Sequence, residues 1–152
     1  EDWTPASFRN ALAAVVLACG AVGQGIAGRL CRPGRLELLL VLVLFGNVPP
    51  LIWMAFAEGP SRFVAACVLA VIHFMNQPVY NSLIAQHIPA SRRSLGYGFS
   101  NMMCFGIGAF GPYFAGQFMG DTAVYGGLAA VATAAGLFAT YSLIVRDRQS
   151  VT

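Results

Sequence analysis

The chain has 152 residues, 57% of them apolar and only 10% charged, with a formal net charge of +3 and a mean hydropathy of +0.67. A soluble domain of this size carries about a quarter of its residues as charges, so the composition excludes an ordinary water-soluble fold and points to a membrane. The nine basic residues, all Arg, lie scattered between apolar runs, which leaves nucleic-acid binding without a basis.

Five apolar runs, at about 8–28, 36–57, 63–88, 95–119 and 124–145, each come near the ~20 residues that cross the hydrocarbon. The expected fold is all-α: a polytopic bundle of five transmembrane helices. Glu1, Asp2 and Trp3 stand where a signal peptide needs a basic segment. With no initiator Met, the chain reads as a piece of something longer.

The first run places Ala14, Ala18, Ala21, Gly25 and Gly28 at steps of three and four, a small-residue face of the kind on which membrane helices approach one another. Arg29, Arg32 and Arg35 follow it. The second run is Leu-rich with few polar side chains, which suits lipid contact, and Pro49-Pro50 should kink it.

The third run carries the best pointer to function. At 100° per residue, His73, Asn76, Gln77, Tyr80, Ile84 and His87 fall within an arc of about 100°, with Val71, Phe74, Met75, Val79 and Ala85 opposite. A polar stripe inside a bilayer normally faces the bundle interior or a wet cavity. Pro78 should free the Phe74 carbonyl and bend the helix beside that stripe. The fourth run repeats small residues at Gly108, Gly111, Ala115, Gly116 and Gly120 and is expected to pack closely, whereas the fifth, rich in Ala, Leu and Val, again suits lipid.

Seven Arg residues follow the first, third and fifth runs, and only Arg9 and Arg62 lie on the alternate side. Basic loops stay cytoplasmic, so the N-terminus is expected outside and the C-terminus inside. Cys19, Cys31, Cys67 and Cys104 form no C-x-x-C pair and read as small buried residues, without disulfide or metal. The chain holds no H-E-x-x-H, no G-x-S-x-G and no paired intramembrane carboxylates, so no catalytic residues, cofactor or enzymatic activity are expected.

The loop Ala27-Gly28-Arg29-Leu30-Cys31-Arg32-Pro33-Gly34-Arg35 is similar to the loop signature of the major facilitator superfamily (MFS). Arg32, Gly34 and Arg35 match it; Ala27 and Cys31 stand at its first Gly and its Asp. The stretch from Pro78 through Pro89-Ala90, Arg92-Arg93 and Gly96-Tyr97-Gly98 to Gly106–Gly116 resembles helices ten and eleven of that superfamily, and Gly111-Pro112 resembles its antiporter element.

The resemblance implies a partial MFS fold, helices eight to twelve of a secondary active transporter, multi-pass in a cytoplasmic (inner) or plasma membrane. It would move a small organic solute, a metabolite or drug, by alternating access, and its partner would be the N-terminal half of the same protein. His73, Asn76, Gln77 and Tyr80 would line the cavity. Arg29, Arg32, Gly34 and Arg35 would form the cytoplasmic gate loop, or simply set topology, and Gly108, Gly111, Pro112 and Gly116 would pack helices.

His73 is the candidate for coupling to a proton; its other reading is a neutral ring hydrogen-bonded to a neighbouring helix. A structural or assembly membrane protein, which Gly-rich helices serve equally well, is the alternative function.

Overall fold

A computed structural model describes residues 4–117 and 120–150, and every element in that range is helical. In chain order these are α1 (Pro5–Leu30), α2 (Leu36–Gly46), α3 (Val48–Phe56), α4 (Gly59–Phe74), α5 (Asn76–His87), a 3-10 turn (Ala90–Arg92), α6 (Arg93–Gly108), α7 (Gly111–Gln117) and α8 (Asp121–Ser150). Four helices are long and apolar enough to cross a membrane: α1, α2 with α3, α4 with α5, and α8. The run expected at 95–119 forms α6 and α7 and is not among those four; Phe118 and Met119 lie outside the described residues.

Local chemistry accounts for where the helices start and break. Thr4 caps α1, its hydroxyl accepting from the Ser7 amide at 3.2 Å, and Pro5 opens the first turn. Each internal break lies just before proline. Asn47 separates α2 from α3 ahead of Pro49-Pro50, Met75 separates α4 from α5 ahead of Pro78, and Ala109-Phe110 separates α6 from α7 ahead of Pro112. A proline offers no amide to the carbonyl four residues earlier. The chain tightens locally instead: Met75 N–H bonds Ile72 at 3.2 Å, Phe110 N–H bonds Ile107 at 3.1 Å, and Asn47 N–H reaches Val43 and Leu44 at 3.2 and 3.3 Å.

Helix α1 packs most extensively on α4, while α2 and α3 lie between α8 on one side and α4 and α5 on the other. The α1 contact uses Gly20, Gly23 and Ala27, all buried. A methyl at Gly20 would sit 2.8 Å from the Phe74 ring, and one at Gly23 would run into the Val71 carbonyl. The face expected from the sequence is the other one: Ala14, Ala18, Ala21, Gly25 and Gly28 are exposed, and methyls at Gly25 or Gly28 would touch nothing. The second run, expected to face lipid, is the most buried of the four apolar helices. It is central because three other helices pack on it.

Ion pairs tie α8 down at both ends. Glu37 pairs with Arg146 and lies 4.0 Å from Nε2 of His87, joining α2, α5 and α8. At the opposite end Arg62 pairs with Asp121, donates to the Ala57 carbonyl at 2.8 Å and lies over the Tyr125 ring. Beside it Thr122 donates to the Ala55 carbonyl at 2.9 Å.

Helices α6 and α7 stand apart. Among the described residues their main contact with the bundle is around α5, through Gly96 against Ile84 and Ile88 and through the Tyr97 hydroxyl donating to the Asn81 carbonyl at 3.3 Å. Leu95, Phe99, Phe105 and Tyr113 are largely exposed.

Candidate functional site

Two proline-linked breaks meet in space near the middle of their spans. Asn47, 3% exposed at the α2–α3 junction, donates from Nδ2 to the Val43 carbonyl at 2.6 Å and turns Oδ1 to Nδ1 of His73 at 3.2 Å. An amide oxygen only accepts, so the His73 Nδ1 carries a proton and donates it to Asn47. His73 thus makes the hydrogen bond to a neighbouring helix that formed its second sequence reading.

One turn on, Asn76 opens α5 with its Oδ1 shielded from solvent and without a hydrogen-bond partner among the described residues. Such an orphan costs folding energy. Asn47, His73 and Asn76 all line a cavity of about 540 Å³ whose other walls are apolar, including Leu44, Met54 and Phe74.

The expected polar stripe therefore divides. His73 and Asn76 turn to this cavity, whereas Gln77 accepts at 2.7 Å from Nε2 of Gln24 on α1 and Tyr80 is 40% exposed. Sequence reasoning missed Asn47 and Gln24. The signal for Asn47 was an amide inside an apolar run immediately before Pro49-Pro50; Gln24 was the one amide side chain in the small-residue stretch from Ala11 to Gly28.

The loop after α1 turns at Gly34, whose φ of +82° favours glycine. Arg29, Arg32 and Arg35 extend into solvent with no side-chain partner among the described residues. Arg93 instead takes the helix-end role, donating to the Ala85 and Ile88 carbonyls at 2.9 and 3.3 Å and capping α5. Methyls at Gly108, Gly111 or Gly116 would meet nothing within 4 Å, and Pro112 is exposed, so the packing expected of that face has no partner among the described residues. The four cysteines are free thiols. Among the described residues no group of three His, Cys, Asp or Glu side chains is placed to hold a metal ion.

A second, smaller cavity of about 280 Å³ lies at the Arg146 end, lined by Glu37, His87, Ser142 and Arg146 with apolar neighbours. No protein-family model, no curated protein and no solved structure matches this chain.

Proposed function

We propose that the chain is the C-terminal part of an MFS transporter that moves a small organic solute across a membrane by alternating access. The observation that carries this reading is the meeting of two broken apolar helices at Asn47, His73 and Asn76, beside an unsatisfied amide and a cavity of ligand size. Discontinuous helices near the bilayer midplane are the usual material of transporter binding sites. In soluble folds such breaks mark hinges or bulges; here they gather polar groups in an apolar bundle.

On this reading α1 is helix eight, α2–α3 nine, α4–α5 ten, α6–α7 eleven and α8 twelve, which makes α6–α7 a fifth crossing. Gln24, Gln77 and Tyr80 form the wall turned toward the N-terminal half, and the bare face of α6–α7 packs against that half. The Arg29, Arg32 and Arg35 loop lies at the cytoplasmic gate, and the C-terminus is cytoplasmic, as the distribution of Arg implies. Seven further apolar spans with a second Gly-Asp-Arg-Gly-Arg loop are the expected context ahead of Glu1.

The exposed apolar side chains of α6–α7 favour one other reading, a scaffold that assembles with another membrane protein. Cysteines at Gln77 and Tyr80, introduced after replacing the four native ones, separate the two. Reaction with a membrane-impermeant thiol reagent in sealed vesicles is expected of a transporter. Protection at both positions would leave the scaffold.

A further inference from the structure

Cys19 and Cys67 meet across the most extensive helix contact in the fold, that of α1 on α4. Their thiols are in hydrogen-bond contact, and all four cysteines are free. The register of the two helices explains the meeting. A methyl on Gly23 would run into the Val71 carbonyl and come within 3.0 Å of the Val71 Cα, so the two backbones touch there. Cys19 precedes Gly23 by one turn, and Cys67 precedes Val71 by one turn. Small buried neighbours keep the helices close on either side of the pair: Gly20 and Gly23 on α1, Ala65 and Ala70 on α4.

A disulfide needs Cα atoms about 4.4–6.8 Å apart and Cβ atoms that point toward each other. Backbones that touch one turn away, with thiols already in contact, suit the pair to both. Spacing along the chain hid it, because α2 and α3 lie between the two cysteines in sequence. Cys31 ends α1 about three turns further on, and Cys104 lies exposed on α6.

We infer that Cys19 and Cys67 form a redox clasp, which a lipid-soluble two-electron oxidant closes into one disulfide that pins α1 to α4. Two S–H bonds break and one S–S bond forms; the two electrons and two protons pass to the oxidant, so that a quinone would leave as its hydroquinone. Lipid solubility matters because both residues lie within apolar helices long enough to cross a membrane, where charged reagents enter only at high cost. The clasp belongs to the bundle alone and does not require that the chain transport anything.

The test uses the full chain, one copy per phosphatidylcholine nanodisc, with molecular iodine as the lipid-soluble oxidant. Two thiols and one iodine molecule give one disulfide, two protons and two iodide ions. Remaining thiols are blocked with N-ethylmaleimide, and the chain is digested with trypsin and analysed by mass spectrometry without reduction. Cleavage after Arg9, Arg29, Arg35, Arg62 and Arg93 leaves the four cysteines in four different peptides. The Cys19 peptide is expected linked to the Cys67 peptide, exceeding every other pairing about tenfold, as fixed neighbours react at high effective concentration.

The oxidised chain should also need more sodium dodecyl sulfate to unfold than the same sample after dithiothreitol, because the closed loop through α2 and α3 restricts the unfolded chain. Cys19→Ser and Cys67→Ser should each abolish the link and this shift; the measurement on the unaltered chain decides alone should either variant fail to accumulate. Maleimide labelling of both cysteines after iodine, linkage to Cys31 or Cys104 as readily as to each other, or an unfolding midpoint that the link leaves unchanged would overturn the proposal. Accessibility at Gln77 and Tyr80 is read in a chain without the four native cysteines, so neither result decides the other.

Discussion

Asn47 and His73 hold each other across two helix breaks: the Oδ1 of Asn47 accepts from Nδ1 of His73 at 3.2 Å while its Nδ2 closes on the Val43 carbonyl at 2.6 Å. One buried amide thereby ties the α2–α3 junction to α4. Asn47→Leu should remove both bonds and leave the His73 ring without its partner, while the Val43 carbonyl keeps the backbone amide of residue 47. Its cost is about 1–3 kcal/mol. His73→Leu, which spares the Val43 bond, should cost less. The coupling between the two in a double-mutant cycle should be near 0.6 kcal/mol, the average for membrane hydrogen bonds. Unfolding by sodium dodecyl sulfate in mixed micelles measures all four states of the cycle, and zero coupling would show that the contact contributes nothing.

The α1–α4 contact predicts an unusual ranking among glycines. A methyl on Gly23 meets backbone, the Val71 carbonyl, which cannot swing aside, whereas one on Gly20 meets the Phe74 ring, which can. Gly23→Ala should therefore destabilise more than Gly20→Ala, within the ~1–3 kcal/mol typical of overpacking. Gly25→Ala and Gly28→Ala should be neutral or slightly stabilising, since they gain helix propensity and touch nothing. The same unfolding assay ranks all four, and equal losses would mean that α1 packs on its other face.

That ranking also marks the limit of what could be read from residues alone. Breaks before Pro49 and Pro78 were legible because a missing amide acts four residues away, whatever surrounds it. The paired ends were half legible: the loop pattern of Arg residues gave the alternation of helices, but not that Glu37 would meet Arg146 and His87. The choice between the Gly25–Gly28 and Gly20–Gly23 faces of α1 was not legible, because both carry small residues at helical spacing and only the position of α4 selects one. Asn47 was passed over for a similar reason. Its run is so apolar that it suited lipid, and its central place depends on α4, α5 and α8 packing around it.

The two ion pairs at the ends of α8 should differ in worth. Arg62 also donates to the Ala57 carbonyl and lies over Tyr125, so Arg62→Ala should lower the thermal midpoint in detergent more than Asp121→Ala does. A largely solvated pair by itself contributes about 0–1 kcal/mol. At the other end, the charge swap Glu37→Arg with Arg146→Glu should recover part of what each single change loses. Equal midpoints for Arg62→Ala and Asp121→Ala would reduce the Arg62 cluster to a simple pair.

His73 sets an expectation for pH. Its Nδ1–H is engaged by Asn47, and no carboxylate shares its cavity to receive a proton from it. On the proposed transporter reading, His73→Gln is expected to leave the pH profile of uptake unchanged, because the ring then serves only as a hydrogen-bonding group to Asn47. A profile flattened by this substitution, with uptake otherwise intact, would instead make His73 the coupling residue.

Gly111 separates packing within this chain from packing beyond it. A methyl there would meet nothing within 4 Å, and among the described residues α7 makes no extensive contact with the bundle. Gly111→Leu should therefore leave the unfolding of the 152-residue chain unchanged. On the proposed transporter reading, the same substitution in the longer protein should cut uptake at least severalfold without removing it from the membrane, because a bulky side chain would then wedge the face proposed to meet the other half. Destabilisation of the isolated chain would mean that α7 packs within it after all, and unchanged uptake would remove the Gly111-Pro112 element from the transport cycle.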